Sequence, residues 1–302
     1  MSTSEHEAVV LHLTELGRRM AAATGLAPQL AARAAMEEYF TAPALSGSRV
    51  LPAPAPAASS EWILDERSDD GRRVLFLHGG GYVAGGPSSY RRFAMWIARA
   101  TGCAVLLCNY RLAPEHPFPA AVHDAVGAFR WMREHGPQGR APAQRAFVLG
   151  DSAGGGLALA ALLSMLESGE GRADAAVTFS AWTDLTHSGA SMTRNEDPGL
   201  GSLKSVAECF AHLYLQGADA RHPLASPLFG CLAGLPPLLM QTSDAELFLD
   251  DSTRFVERAR AAGVEAQIEV WPGLVHVWQG FVPQLPAAAE ALRHAGDFIR
   301  AH

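Results

Sequence analysis

The sequence predicts an α/β protein in which a mostly parallel central sheet is flanked by helices. Short apolar runs recur along the chain, and helical patterns separate most of them. The apolar runs lie near residues 74–77, 104–109, 145–149, 176–181, 237–242 and 266–271, and the helical patterns near 91–101, 120–135, 154–167, 249–262 and 286–300. Of the 302 residues, 48% are apolar and 18% are charged, so the chain can bury a full core. Alternating strands and helices are typical of a parallel sheet that is covered on both faces.

The N-terminal region has a different pattern. Residues 5–42 carry helical apolar stripes, whereas residues 43–58 are rich in proline and are not expected to be helical. We therefore predict an N-terminal helical cap segment at residues 1–45, followed by a larger α/β domain at 46–302. Residues 61–65 are a candidate strand at an antiparallel edge of the sheet.

A second irregular segment interrupts the alternation late in the chain. Between about residues 184 and 236 no strand–helix unit is clear, although residues 202–215 have a helical pattern. An insertion of this kind in an α/β scaffold usually covers the functional edge of the sheet. We predict that a second part of the cap lies at about residues 185–225.

Charge and cysteine usage narrow the class of protein. The formal net charge of −7 argues against a surface that binds nucleic acid. The first residues are acidic where a signal peptide would be basic, and the longest apolar stretch, residues 154–166, is too short to cross a bilayer. We expect a soluble cytoplasmic protein without a membrane partner. No metal-ligand spacing is present among the histidines and cysteines, so we expect no metal. We expect the four cysteines to be buried free thiols: Cys103, Cys108, Cys209 and Cys231.

A GDSAG pentapeptide at residues 150–154 is the strongest functional signal. It follows the apolar run at 145–149 and precedes a helical run, which is the strand–turn–helix context of a nucleophilic serine. Glycines two residues before and two residues after Ser152 permit the sharp turn that exposes the hydroxyl. The helix N-terminus behind this hydroxyl favours negative charge. We predict that Ser152 is a nucleophile.

An HGGG sequence at residues 78–81 supports this interpretation. It follows the apolar run at 74–77, and three glycines at the end of a strand allow backbone N–H groups to face a common point. Acyl transfer needs such donors for the developing oxyanion. A flexible loop is the alternative interpretation.

The serine needs a base, and the base needs an acid that orients it. In strand–turn–helix serine sites the acid and then the histidine follow the serine along the chain. His276 is the histidine that lies in a loop after the last predicted strand, which favours it as the base. The loop after the strand at 237–242 offers four acids, and the residues alone do not separate them: Asp244, Glu246, Asp250 and Asp251.

Three motifs together resemble the hormone-sensitive-lipase-like family, whose bacterial members are called family IV esterases. They are HGGG at residues 78–81, YRLAPEHPFPAA at 110–121 and GDSAGG at 150–155, and the similarity extends from about residue 60 to the C-terminus. The resemblance implies an α/β-hydrolase fold with a helical cap. It implies hydrolysis of small-molecule carboxylic esters without a cofactor, through an acyl-enzyme. Members of the family often form homodimers.

The same resemblance implies roles for individual residues. The family acid occurs in a DPxxD pattern, and the ELFLD sequence here places Glu246 in its first position and Asp250, as a supporting residue, in its last. The N–H groups of Gly80, Gly81 and Ala153 would bind the oxyanion. His78 would hold the glycine loop, and so would a buried charged network formed by Arg111, Glu115 and Asp124.

For the substrate pocket we predict a largely apolar lining. The residues expected there flank the glycine loop, the serine and the histidine, and they are Tyr82, Val83, Asp151, Trp278 and Phe281. Cap residues from 10–40 and 190–220 would close the other side. The family resemblance implies short or medium acyl chains, because a cap bounds the pocket, and butyrate should be preferred to palmitate.

Several alternatives use the same motifs. Lactones, carbamates or aryl amides could be the substrates, and an acyltransferase would need the same catalytic residues. A serine peptidase is a further alternative. A relative that only binds ligands is also conceivable, although receptors of this kind that have lost catalysis lack the histidine that is present here at 276.

Overall fold

A computed structural model describes residues 4–22, 27–40, 42–54, 59–169, 171–195 and 203–302. Eight strands form its main sheet, in the order β1-β2-β4-β3-β5-β6-β7-β8. They are β1 (Arg49–Ala53), β2 (Ser60–Leu64), β3 (Asp69–Leu77), β4 (Cys103–Cys108), β5 (Arg145–Asp151), β6 (Ala176–Phe179), β7 (Leu238–Ser243) and β8 (Ala266–Trp271). The strands from β3 to β8 pair in parallel, and β1 and β2 are antiparallel to their neighbours. The predicted α/β class with a mostly parallel sheet is confirmed.

Nine α-helices accompany the sheet in the described part of the chain. They are α1 (Ser4–Ala22), α2 (Pro28–Tyr39), α3 (Pro87–Thr101), α4 (Ala120–Glu134), α5 (Ser152–Ser168), α6 (Ser191–Arg194), α7 (Leu203–Leu215), α8 (Leu249–Ala261) and α9 (Pro286–Ala301). Short 3₁₀ turns occur at Pro227–Phe229 and Trp278–Phe281, and a two-residue ribbon pairs His135–Gly136 with Gly139–Arg140. Apolar side chains of α4, α5 and α8 belong to one core cluster, and those of α3 and α9 belong to the other. Both faces of the sheet are therefore covered, as a buried parallel sheet requires.

The register of the sheet brings the sequence motifs together. Leu77 at the end of β3 pairs with Gly150 near the end of β5, so the chain enters the HGGG and GDSAG sequences side by side. Ser243 at the end of β7 pairs with Trp271 at the end of β8. Because parallel strands all end at the same edge of the sheet, the loops that follow β3, β5, β7 and β8 meet there.

The antiparallel edge differs from the sequence expectation. Residues 61–65 were expected at the edge, but β2 is covered by β1, whose residues lie in the proline-rich segment. Pro52 belongs to β1 and pairs with Glu61. A proline, which has no N–H to donate, is compatible with an edge strand, and this explains why the proline-rich composition concealed a strand.

Helix α2 is fastened to the loops at the carboxyl edge by Arg33. Its guanidinium donates to the carbonyl oxygens of Val83, at 2.9 Å, and Ala113, at 3.1 Å, and it pairs with Glu115 at 2.7 Å. Arg111 instead pairs with Asp124 at 2.8 Å, and both arginines are partly exposed. The expected single buried network is therefore two separate ion pairs, because Glu115 points towards α2.

Among the helices of the described residues, none has both the length and the hydropathy of a transmembrane span.

Candidate active site

Ser152 lies at the turn between β5 and α5. Its φ is +51°, a left-handed conformation that non-glycine residues adopt at a cost, and the turn is made possible by close backbone contacts on either side. A Cβ atom on Gly150 would overlap the carbonyl of Gly154, and one on Gly154 would overlap the carbonyls of Leu77 and His78. These two positions therefore require glycine, and the serine hydroxyl is lifted above the end of the sheet.

Ser152, His276 and Glu246 form a continuous hydrogen-bonded chain. Oγ of Ser152 lies 2.9 Å from Nε2 of His276, and Nδ1 of His276 lies 2.6 Å from Oε2 of Glu246. The Glu246 side chain is fully buried and that of His276 is nearly so. A buried carboxylate behind the distal imidazole nitrogen fixes the tautomer that can take a proton from the serine.

The second carboxylate oxygen of Glu246 is also occupied. Oε1 accepts hydrogen bonds from the hydroxyl of Thr242, at 2.5 Å, and the N–H of Ser243, at 2.8 Å. The amide of Asn195 donates to the backbone carbonyls of Asp244 and Glu246, at 2.9 Å each. The acid is therefore held by the end of β7 and by the segment that precedes residue 196. Expected cap residues 196–202 lie outside the described residues.

The other three acids of this loop have different contacts. Asp244 accepts the N–H of Gly273 at 2.7 Å, and so ties down the loop that carries His276. Asp250 accepts the N–H of Ser191 at 2.9 Å. Buried Asp251 accepts the N–H groups of Thr183 and Asp184, at 2.7 Å and 2.8 Å. Of the four carboxylates that the sequence left open, the one in contact with the imidazole is that of Glu246.

The glycine loop lies beside Ser152. Gly80 has a φ of +105° and Gly81 a φ of +63°, and a Cβ atom on Gly80 would overlap the carbonyl of Ala84. Both glycines border the same cavity as Ser152. Ala153 lies in the first turn of α5, where the N–H groups have no partner within the helix. The three amides expected for an oxyanion are thus in adjoining backbone segments.

His78 contacts the backbone of the glycine loop from the protein interior. It is fully buried and stacks on Tyr110 with 4.2 Å between ring centroids, and its Nδ1 lies 2.8 Å from the carbonyl oxygen of Gly79. Burial lowers the pKa of His78 to about 4, so the ring is neutral at neutral pH. A neutral, buried, stacked ring fits the structural role that the resemblance implies.

Asp151 connects the serine turn to the glycine loop. Its Oδ1 accepts the N–H of Gly79 at 3.0 Å, and its Oδ2 accepts the hydroxyl of Tyr90 at 2.9 Å. The sequence indicated Asp151 only as a pocket residue. Successive side chains of a strand alternate between its two faces, and this alternation along β5 was the sequence signal for the side to which Asp151 points.

Stability should depend on pH through Asp151. Burial raises the pKa of this carboxyl from 3.8 to about 7, against the opposing hydrogen bonds from Tyr90 and Gly79. Between about pH 4 and pH 7 the folded protein therefore keeps a proton on Asp151 that the unfolded chain has lost. Its contribution to the free energy of unfolding is complete below about pH 4 and is lost as the pH rises through about 7. We expect the melting temperature of Asp151→Asn, relative to that of the wild type, to be higher at pH 8 than at pH 5. Thermal unfolding of both proteins at both pH values checks this, and a difference that does not change with pH would contradict it.

The cavity above Ser152 has a volume of about 320 Å³. Its described lining includes the side chains of Met36, Tyr39, Trp182, Phe210 and Phe248. Most of this lining is apolar and comes from α1, α2 and α7. Met36, Tyr39 and Phe210 fall within the ranges 10–40 and 190–220 that were expected to close the pocket, whereas sequence reasoning missed Trp182 and Phe248, which follow β6 and β7 and reach the cavity only in the folded chain.

Four of the five expected pocket residues need correction. Tyr82, Val83, Trp278 and Phe281 are fully buried in the two core clusters and do not border the described cavity, whereas Asp151 does. The chain turns sharply beside two of them, since Tyr82 has a φ of +65° and Val277, before Trp278, has a φ of +54°. Proximity in sequence to a motif therefore did not place these side chains in the pocket.

The cysteines differ in part from the expectation of buried thiols. Cys103 and Cys108 are buried, but Cys209 is partly exposed and borders the cavity, and Cys231 is exposed. Within the described residues, no group of three or more histidine, cysteine, aspartate and glutamate side chains is arranged to hold a metal ion.

The known proteins that this chain resembles are hydrolases and esterases. A protein family described by the alpha/beta hydrolase fold matches residues 74–280. An acetyl-hydrolase of Streptomyces hygroscopicus is 43% identical over 242 residues, which is 80% of this chain and 79% of the relative. A crystal structure of an esterase from the bacterial hormone-sensitive lipase family superposes with a TM-score of 0.90 at 39% identity, over 100% of this chain and 99% of the other. EstE5, in a crystal soaked with p-nitrophenyl butyrate, superposes with a TM-score of 0.88 at 38% identity, over 99% of each chain.

Proposed function

The chain belongs to the α/β-hydrolase family and is a serine carboxylesterase of the hormone-sensitive-lipase-like group, and we propose that Ser152, His276 and Glu246 are its catalytic residues and that its substrates are esters of short and medium acyl chains. The observation that carries the proposal is the hydrogen-bonded chain from the Ser152 hydroxyl through His276 to Glu246 at the floor of an apolar cavity. A hydroxyl, an imidazole and a carboxylate in this order perform nucleophilic acyl transfer without a cofactor.

The reaction follows from the positions of these groups. Oγ of Ser152 attacks the ester carbonyl while Nε2 of His276 takes the hydroxyl proton, and Glu246 stabilises the imidazolium that forms. The N–H groups of Gly80, Gly81 and Ala153 donate hydrogen bonds to the carbonyl oxygen and stabilise the negative charge that develops on it. His276 then protonates the leaving alcohol, and water attacks the acyl-enzyme with the same groups in reversed roles.

Size and lining of the cavity support short and medium chains. Its volume of about 320 Å³ is at the small end of ligand pockets, and most of the lining is apolar. EstE5, which this chain resembles over nearly its whole length, was studied with a butyrate ester. We further propose that α1, α2 and the segment at 185–225 act together as a cap, because α1, α2 and α7 all border the cavity.

Chain-length preference tests this proposal. We expect kcat/KM for p-nitrophenyl butyrate to exceed that for the palmitate ester by at least about 10-fold, because a long chain cannot be enclosed and loses its apolar contacts. Steady-state kinetics on esters of two to sixteen carbons checks this, with Ser152→Ala as the blank for uncatalysed hydrolysis. Equal or better turnover of palmitate would contradict the pocket. Adding methanol and measuring methyl ester separates an acyltransferase from a hydrolase.

We also propose a homodimer that forms through the outer edge of β8, where Val270 is 46% exposed and the strand can pair with a second copy. We propose a cytoplasmic location, as the acidic N-terminal residues suggest.

A further inference from the structure

Helix α7 touches the backbone of the glycine loop directly. The ring of Phe210 lies so close to Gly81 that a Cβ atom on this glycine would overlap Cδ2 of the ring. Phe210 is 9% exposed and also borders the cavity. One face of the phenylalanine therefore contacts the loop that offers oxyanion donors, and the ring also faces the space where the substrate would lie.

A second aromatic contact follows one helical turn later. Tyr214, four residues after Phe210, stacks on Tyr82 with 3.9 Å between ring centroids and 6° between ring planes. Residues four apart lie on the same face of a helix. One face of α7 thus holds two consecutive loop residues, Gly81 and Tyr82, by two rings, and we call Tyr82, Phe210 and Tyr214 the aromatic cluster.

Backbone hydrogen bonds hold both sides of the aromatic cluster to the same segment, residues 113–118. The carbonyl of Tyr82 accepts the N–H of Ala113 at 2.9 Å, and the carbonyl of Tyr214 accepts the N–H of Phe118 at 2.8 Å. Loop and helix are therefore both tied to one short segment, which limits how far they can shift relative to one another. Tyr82 is itself held at a φ of +65°, so its backbone needs external support.

The hydroxyl of Tyr214 has no part in these contacts. It is buried and has no hydrogen-bond partner among the described residues. A buried hydroxyl without a partner lowers stability, so its presence does not explain why an aromatic ring stands here. What the position contributes is the flat face of the ring against Tyr82.

We propose that Phe210 and Tyr214 are positioning residues for the oxyanion loop, so that loss of either ring lowers kcat more than it changes KM. This inference rests on the proposed role of Gly80 and Gly81. Oxyanion donors act on charge that exists only in the transition state, so a small misalignment raises the barrier without weakening substrate binding. Val206 and Cys209 of α7 border the cavity too, so the helix that holds the loop also lines the space for the substrate.

The test compares the ring with its hydroxyl. Tyr214→Phe keeps the stack, Tyr214→Leu and Phe210→Leu remove a ring, and Phe129→Leu removes a fully buried ring from α4 as a control for general loss of core packing. For each protein we would measure kcat and KM with p-nitrophenyl butyrate and the inhibition constants of an alkyl trifluoromethyl ketone and of the matching methyl ketone. The trifluoromethyl ketone adds to the serine as an oxyanion, whereas the methyl ketone binds largely without addition. Active sites are counted with a fluorophosphonate, so that unfolded protein does not enter kcat.

We expect Tyr214→Phe and Phe129→Leu to remain within about threefold of the wild type per active site. Tyr214→Leu and Phe210→Leu should lower kcat at least about 10-fold, a part of the 10²–10³ loss typical for one missing oxyanion donor. Their KM should change less than about threefold. The trifluoromethyl ketone should weaken in parallel with kcat, while the methyl ketone does not.

Several outcomes would overturn the inference. Unchanged kcat per active site in both leucine variants is one, and a loss in KM alone is another. An equal loss in Phe129→Leu would assign the effect to core packing, and variants without titratable sites would show a folding role instead. If wild-type protein does not react with the fluorophosphonate at Ser152, the proposed function itself fails, whatever the variants show.

Discussion

Replacing Ser152 with alanine is expected to lower kcat for p-nitrophenyl butyrate by about 10⁵–10⁶-fold. Oγ is the only non-hydrogen atom removed, and without it no acyl-enzyme can form. The remaining activity then reflects direct attack by water, helped by the oxyanion donors. Steady-state kinetics with enough protein to detect slow turnover checks this. His276→Ala should cost a similar factor, and Ser152→Ala/His276→Ala should be no worse than either single variant, because the two residues act as one unit.

Near-normal turnover in either single variant would contradict the assignment. Circular dichroism and thermal unfolding of Ser152→Ala provide the control, since a half-buried side chain that faces the cavity should not alter the core. Alanine keeps the Cβ atom and so keeps the left-handed strain at this position, and because such strain amounts to about 1–3 kcal/mol in stability, a change in it cannot account for a loss of this size.

Replacing Glu246 with glutamine is expected to lower kcat by about 10⁴-fold without unfolding the protein. The hydroxyl of Thr242 and the N–H of Ser243 both donate to Oε1, so the new amide nitrogen is driven to the position of Oε2, opposite Nδ1 of His276. There it donates where the carboxylate accepted, and the imidazole is forced into the tautomer whose Nε2 carries the proton. This tautomer cannot act as base towards the serine, and loss of the charge removes support for the imidazolium.

The neighbouring acids provide matched controls for Glu246. Asp250→Asn and Asp244→Asn change the same charge in the same loop, but their carboxylates contact Ser191 and Gly273 and not the imidazole. We expect these variants to lose less than about 10-fold in kcat. A larger loss of kcat in Asp250→Asn than in Glu246→Gln would show that Glu246 is not the catalytic acid.

The sequence was most informative where chemistry constrains the backbone. Glycines at 150, 154 and 80 could be read from the motifs because a Cβ atom at any of them would overlap a carbonyl, so local geometry demands them. Glu246 was separated from its neighbours only by the resemblance to a family pattern. Its contact with His276 joins residues 30 positions apart, and the hydrogen bonds from nearby Thr242 and Ser243 form only in the folded loop, so none of them leaves a periodic signal in the chain.

The pocket was least predictable, for a physical reason. Tyr82 directly follows the HGGG sequence and Trp278 lies two residues after His276, yet left-handed turns at Tyr82 and Val277 send their side chains into the core. The cap ranges 10–40 and 190–220 were expected at the pocket, but their individual lining side chains, such as Met36 and Phe210, come from helices that are more than 150 residues apart along the chain and meet only over the sheet edge. Glu115 was similarly expected beside Arg111 but pairs with Arg33 of α2, because an ion pair depends on how the helix docks.

A crystal structure of the protein after reaction with an alkyl fluorophosphonate tests the central claim most directly. We predict that phosphorus is bonded to Oγ of Ser152 and that one phosphonyl oxygen lies about 2.7–3.1 Å from the backbone nitrogens of Gly80, Gly81 and Ala153. Nε2 of His276 should remain on the side of the leaving group, with Nδ1 still held by Glu246. A reagent attached elsewhere, or an oxygen directed away from all three amides, would contradict the claim that these residues converge on one carbonyl.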